Sequence, residues 1–505
     1  MIWQLLARVR GRGIDRNLRD PQPVQERVLR KILGKLQGCE LARTLGLEAV
    51  TGIDSFRRTV PITDYPFYQP YIRKILQGHE GILFPGKPAY IAQTGGTTAE
   101  PKRLPLSKAL IRSYRQFNLD MAFCYMLDSG HADIFSGKIF LVAANPVAAH
   151  TEQGTPIGFI TGVMAQIAPA LLRYRYVPTL GVIRNPQMAE KIQQITQQGY
   201  AQRHKIRVAA GLTPYLMAAW RNLIDYSREQ EGCYRRISEI FPRLRVAFHG
   251  GSTYNLYLDR MRELAGARVE HRNVYSAAEG PIAFQYTGGS PGLAPALDGV
   301  FFEFLSEAQL QHEHPRSLLV SEVECGIPYY ILLTTQGGLL RYKIGDRVEF
   351  IHKDPPLFQV LGKSDDQIDL SAEKIGVDQA IRVLQETGHA LGVKILNFLV
   401  CPAAGVPAER QIAHEWIIEC EPIPADPTVF RDELERRLCQ YNTMYRELRA
   451  HNFALAQPVI TFVTGGTFQR YMEAEFNYGQ QKLLHLRHDR TAAERLLCYA
   501  GTLQH

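Results

Sequence analysis

"GLLRYKIGDRVEF", residues Gly338–Phe350, joins a Gly-Asp pair to a run in which Val348 and Phe350 alternate with Arg347 and Glu349. A period of two predicts a half-buried strand, continuing through "RVEFIHK" at 347–353. Asp346 has two readings at the head of that strand. It is a turn residue capping the strand, or a carboxylate that accepts from vicinal hydroxyls in a charge-assisted pairing. The neighbouring runs decide what surrounds it.

Working outward, strand-like runs recur at "KIFLVAAN" (138–145), "RVAFHGG" (245–251), "GVFFEFL" (299–305) and "YYILLTT" (329–335). Helical patterns lie among them, including "MAEKIQQITQQGYAQR" and "PYLMAAWRNLIDYSREQ". Alternation of this kind predicts an α/β chain with sizeable sheets. Nearer the start, apolar steps of three and four predict one helix over 22–47, followed by a proline-rich connection, "VPITDYPFYQPYI". The texture changes near residue 362. "LGKSDDQIDLSAEKIG" reads as a polar hinge, and beyond it come a strand pair, "ILNFLVCP" and "HEWIIECE", and one charged helix, "RDELERRLCQYNTMYRELRA". We therefore expect a large domain over 1–362 and a small α+β domain over 363–505.

Composition narrows the function. Hydrophobic content of 45% and charged content of 21% are those of a globular protein. The net charge of +8 suits an anionic small molecule, because the basic residues are scattered and no aromatic-rich nucleic-acid signature accompanies them. No run approaches the ~18 apolar residues of a membrane span. The eight cysteines contain no C-x-x-C pair, so buried thiols in a reducing cytoplasm are expected and neither zinc nor redox chemistry is.

Two stretches compete as phosphate loops. "GILFPGKP" (81–88) matches G-x-x-x-x-G-K, but Pro88 stands where a hydroxyl must ligate Mg²⁺, so the match is chance. "TGGTTAEPK" (94–102) has Gly95 and Gly96, whose backbone N–H groups can form an anion nest. Thr94, Thr97 and Thr98 add neutral donors and Lys102 a charge. A threonine-rich turn explains that stretch equally well on its own.

The stretch resembles the phosphate signature of adenylate-forming enzymes, and the pieces that resemblance requires follow in order. "VAFHGGSTYNLY" carries Gly250 and Gly251, "NVYSAAEG" carries Tyr275 and Glu279, and "RYKIGD" carries Tyr342 and Asp346. "GKSDDQIDL" places Asp365 in the hinge, and "NYGQQKLLHL" places Lys482 near the end. Taken singly, Asp346 could be a capping residue, Glu279 a helix-start carboxylate and Lys482 a solvated lysine. Together with "PQPVQERVLRKIL", "GTTAEPKRLPLS", "GVFFEFL" and "GLLRYKIGD", these motifs resemble the Gretchen Hagen (auxin-responsive promoter) family of acyl-acid amido synthetases over about residues 20–490.

The resemblance implies a large N-terminal domain with β-sheets and a β-barrel, and a small mobile C-terminal domain. It implies ATP and Mg²⁺, a small carboxylic acid and an amine, here an amino acid, joined through an acyl adenylate. Thr94, Gly95, Gly96, Thr97, Thr98 and Lys102 would hold phosphates, and Glu279 the Mg²⁺. Gly250, Gly251, Tyr275 and Ser276 would frame the nucleotide, Asp346 with Tyr342 the ribose. Asp365 would be the pivot and Lys482 the cation on the α-phosphoryl group. Departures are visible: Glu100 sits in the anion loop, "YSAAE" puts Ala278 where relatives have a hydroxyl, and Leu484 replaces a proline after the late lysine. One lost donor of that kind costs on the order of 1–4 kcal/mol of transition-state stabilisation. A thiol acceptor and a non-catalytic nucleotide-binding scaffold remain as alternatives.

Among aromatic residues, Tyr114, Phe117, Trp220 and Tyr254 are candidates for lining an acyl pocket, with core packing as the competing explanation.

Overall fold

The structure is a computed structural model and describes residues 2–93, 102–251, 254–310, 312, 315–363, 367–405, 411–475 and 485–500. Its centre is an eleven-stranded sheet with two unlike halves. In the parallel half, Lys138–Val142, Ile206–Leu212, Val246–Gly250 and Glu270–Ser276 run side by side, with Tyr176–Val177 at the edge. The chain then reverses. Pro281–Gln285 pairs antiparallel with Glu270–Ser276, and Leu293–Pro295, Pro356–Lys363, Tyr342–Lys353, Pro328–Thr335 and Val300–Ser306 continue antiparallel to the far edge. The strands expected for a barrel thus run on as one sheet with the parallel strands. The mixed α/β class is as expected.

A second sheet of four strands holds Tyr90–Gln93 parallel to Pro156–Phe159. A third, of three strands, is built from Lys394–Pro402, His414–Glu421 and Val459–Val463 and is flanked by helices Val377–Leu391 and Pro427–Tyr441. Its apolar side merges with helix Thr213–Glu231 of the parallel half in one core containing Trp220 and Trp416. Tyr215 and Phe453 meet there edge-on at 5.7 Å. Among the described residues no helix is long and apolar enough to cross a membrane.

Three helical expectations are corrected. The single helix over 22–47 is Pro21–Leu36 and then Glu40–Thr44, because Gly38 turns the chain at φ +80°. The proline-rich connection contains the helix Tyr65–Leu76: the Asp64 carboxylate caps it by accepting from Phe67 N–H at 3.2 Å, and Pro66 falls in the first turn, where an N–H has no partner to lose. The charged C-terminal helix is Pro427–Tyr441 and Thr443–Arg449, broken where Asn442 leaves helical geometry (φ −129°) and caps the second segment through Tyr445 N–H.

Candidate active site

A cavity of about 1080 Å³ opens over the junction between the two halves of the sheet. Six parallel strands end at it. Gln93 and Phe159 close their strands in the four-stranded sheet, while Leu212, Gly250 and Ser276 close theirs in the large one, and Ala144 lies two residues past Val142. Ligands of open α/β sheets bind outside the carboxyl ends of parallel strands. Gly250 and Gly251 each need to be glycine. A Cβ on Gly250 would stand 1.7 Å from the Val274 carbonyl oxygen of the next strand, and Gly251 has φ +120°.

The junction itself carries the charged groups. Between Glu270–Ser276 and Pro281–Gln285 the chain turns through Ala277–Gly280, closed by Ala277 N–H donating to Gly280 O at 3.1 Å and by Tyr114 Oη donating to Ala277 O. Glu279 projects from this turn into the cavity wall and is 7% exposed; Ala278 beside it is buried and lines the same wall. Across the cavity, Asp346 Oδ2 accepts from the Tyr275 hydroxyl, joining two motifs 71 residues apart. Burial, and then the Asp346 charge, push the Tyr275 phenol well above its ordinary value, so it stays a donor. Gly345, at φ +91°, sets the turn that presents Asp346.

Lys102 lines the cavity, with Nζ 5.5 Å from the centre of the Tyr65 ring. Ser276 is exposed on its wall. Tyr342 is 1% exposed and packs against Tyr68 in the core, outside the residues that line the cavity. Thr94, Gly95, Gly96, Thr97, Thr98, Glu100, Asp365 and Lys482 lie outside the described residues. The two flanks of the Thr94 stretch, Gln93 and Lys102, both line the cavity.

With the geometry in place, the chain can be set beside known proteins. Residues 11–215 match the GH3 family N-terminal domain, 293–363 the GH3 family central domain and 377–491 the GH3 family C-terminal domain. The chain belongs to the GH3 family. Among curated GH3 relatives, the indole-3-acetic acid-amido synthetase GH3.3 of Arabidopsis thaliana is 21% identical, over 93% of this chain and 89% of that protein. The jasmonoyl–L-amino acid synthetase JAR4 of Nicotiana attenuata is 23% identical, over 73% of this chain and 75% of that protein. Both are ligases that form amide bonds. In fold, the chain is similar to the GH3.15 acyl acid amido synthetase, with a TM-score of 0.59 over 96% of this chain and 95% of that one at 15% identity.

This GH3 chain also places residues at the cavity that its motifs did not reveal. Lys374 reaches the wall from the loop before helix Val377–Leu391. That loop is strained and pinned. Ala372 and Lys374 have φ +79° and +46°, outside the region side chains prefer. Between them Glu373, fully buried, accepts from Leu370 N–H and Ser371 N–H at 2.6 Å each and pairs with His414 Nε2 at 2.7 Å. Asn442 Nδ2 holds the Glu373 carbonyl at 2.7 Å. Nothing in "LSAEKIG" announces this, since the strain and the pinning are tertiary. Asn273 was reachable: it lies two residues before Tyr275, on the same strand face, and lines the cavity. Of the aromatic candidates, Tyr254 lines the cavity, whereas Tyr114, Phe117 and Trp220 are buried in the core.

Proposed function

We propose that this chain is an ATP-dependent acyl-acid amido synthetase that joins a small carboxylic acid to an amine, an amino acid, through an acyl adenylate. The observation that carries the reading is the convergence of Glu279 and the Asp346–Tyr275 pair with six strand ends at one cavity, in a GH3 chain. The names of the relatives, synthetases for indole-3-acetic acid and jasmonate, support an acid and an amino acid as substrates.

In the first step a carboxylate oxygen attacks the α-phosphorus of ATP and pyrophosphate leaves. Both reactants are anions, so positioning and charge neutralisation supply most of the catalysis. Asp346 accepts from the ribose hydroxyls, oriented by Tyr275. Gly250, Gly251 and Ser276 frame the nucleotide, with Tyr342 supporting the ribose strand from the core. Thr94, Gly95, Gly96, Thr97, Thr98 and Lys102 hold phosphate oxygens. Glu279 is a buried carboxylate on the cavity wall, an oxygen ligand of the kind a hard cation takes, and it would hold Mg²⁺ there. Bound there, Mg²⁺ would neutralise phosphate charge. In the second step the amine nitrogen attacks the acyl carbon, the acyl–phosphate bond breaks, and AMP leaves.

We assign Lys482 to the α-phosphoryl group in the first step and Asp365 to the pivot about which residues 363–505 turn against 1–362 between steps. Lys374 is then the small unit's second cation at the cavity. The enzyme works in the cytoplasm, consistent with eight free thiols. A nucleotide-bearing thiol such as coenzyme A is the second reading for the acceptor, because Arg236, Arg262 and Arg268 line one end of the cavity.

Hydroxylamine trapping tests the reading. With ATP, Mg²⁺ and a panel of acids, a hydroxamate should form with at least one acid, and Lys482→Ala should abolish it. Replacing hydroxylamine by amino acids or by coenzyme A then separates the two acceptors. An enzyme that forms no hydroxamate with any acid, though it binds nucleotide, is a non-catalytic scaffold.

A further inference from the structure

A second cavity, of about 230 Å³, lies between the helices Pro21–Leu36 and Lys108–Ser129. No described residue lines both cavities. Helix Lys108–Ser129 nevertheless serves the two: Arg112 and Gln116 line the small cavity, while Tyr114 donates to the Ala277 carbonyl in the turn that carries Glu279.

Helical spacing sorts the charges around it. Residues four apart share a helix face, so Arg27, Lys31 and Lys35 form one row and Arg112, Gln116 and Asp120 another. Asp298 joins the rows at one end. Arg27 Nη2 stands 3.9 Å from it, Asn17 Nδ2 donates to it at 2.9 Å, and Arg10 Nη2 bridges Asp298 and Asp120 at 2.7 Å each. From there each row runs ~12 Å along its helix, from 27 to Lys35 and from 120 back to Arg112. The two carboxylates are thus neutralised where they stand, one cavity length away from Lys35 and Arg112.

The opposite end is cationic. Lys31, Lys35 and Arg112 all line the cavity there. Burial lowers the Lys35 ammonium below its ordinary value, and the repelling charges of Lys31 and Arg112 lower it further. Its hydrogen-bond partner is neutral, Gln336 Oε1 at 2.8 Å. An ammonium can only donate, so that bond fixes the amide and leaves Nε2 as a donor. Gln336 is 7% exposed and lines the cavity, and among the described residues its Nε2 has no hydrogen-bond partner while it keeps accessible surface. Three positive charges and one unmet N–H group therefore converge with no counter-charge beside them.

A phosphate group meets all four. Its oxygens point to the corners of a tetrahedron, so donors from two helices and a strand end can each reach one, and its near-double charge offsets most of the three cations. A carboxylate is planar and singly charged and does neither. The remaining wall includes Ile14, Leu18, Phe117 and Phe284, apolar surface for a small organic group. We propose that this cavity is a second ligand site, which takes a small phosphate monoester with its phosphate held by Lys31, Lys35, Arg112 and Gln336.

Calorimetric titration of the full chain with phenyl phosphate, at fixed ionic strength and with AMP in excess, tests it. The probe should bind despite the AMP, because the two cavities share no wall. Lys35→Gln combined with Arg112→Gln should weaken the probe on the order of tenfold or more. The thermal midpoint without probe should hold or rise in that variant, since like charges are removed. Lys31→Gln, at an exposed position, should show a smaller loss of the same kind, and Lys35→Arg should keep the affinity. Displacement of the probe by AMP would put it in the larger cavity and overturn the proposal. Unchanged affinity in the double variant and in Lys31→Gln also overturns it, as does a probe that fails to bind the unaltered protein.

Discussion

The two halves of the large sheet build the cavity by different means. The parallel half contributes strand ends, so what matters there is where each strand stops and how closely its backbone packs, as at Gly250 and Gly251. The antiparallel half contributes side chains from within its strands: Ile344, Asp346, Phe358 and Gln359. Ends of parallel strands offer backbone groups and room, whereas mid-strand side chains offer rigid placement. Glu279 sits in the turn between the halves and belongs to both.

The sharpest test contrasts two positions five residues apart in the antiparallel half. Arg341, 4% exposed, donates to both Glu303 carboxylate oxygens at 3.2 Å and to the carbonyls of Arg57 (2.9 Å) and Val60 (2.7 Å). Arg341→Met leaves the buried Glu303 carboxylate with Ser317 Oγ at 2.6 Å and the more distant Arg57 Nε at 3.6 Å, and urea unfolding should show a loss of about 3 kcal/mol or more. Asp346→Ala should instead lower AMP affinity on the order of tenfold or more, with a smaller stability loss of about 1–3 kcal/mol, because Asp346 faces the cavity and its removal leaves the buried Tyr275 hydroxyl without its acceptor. Equal stability losses at the two positions would make the mid-strand residues structural and erase the distinction between the halves.

Gly250→Ala probes the parallel half. The added methyl meets the Val274 carbonyl, and forcing that strand pair apart should cost about 1–3 kcal/mol, read as a lower thermal midpoint. A neutral result would mean the strand ends are loosely held. The smallest effect is expected outside both halves, in the Lys374 loop. Burial alone would raise Glu373, but His414 and the backbone N–H groups outweigh it and hold the carboxyl below its ordinary value. A depressed carboxylate stabilises the fold above its unfolded pKa, and that stabilisation is lost as pH falls through the folded pKa. Unfolding free energy should therefore decline only on the acid side of the ordinary value of 4.5, and Glu373→Gln should flatten that decline. A slope that survives the substitution would assign it to other carboxylates.

The strands were legible because apolar runs such as "YYILLTT" and the alternation in "RVEFIHK" have one physical solution. Helix ends were less so. Gly38 and Asn442 interrupt otherwise continuous periodicities, and the prolines of Tyr65–Leu76 look like breakers until the capping Asp64 shows where the first turn begins. At the cavity, Asp346 and Glu279 were legible because each adjoins a glycine in a short motif, Gly345 and Gly280, and Tyr275 because it stands four residues before Glu279. Lys374 was not: its direction depends on a buried pair with His414, forty residues downstream.

The six strand ends have a consequence for descent. Their loops are separated by long stretches of chain, and each supplies one patch of wall: Ala144 and Phe159–Thr161 on one side, Gly250 and Ser276 on another. Insertions or substitutions in one loop leave the frame of the others untouched. The part of the wall that meets the variable substrate can therefore diversify while the part that meets the common one stays fixed, and lineages built on this sheet can change what they join without relearning how to join it.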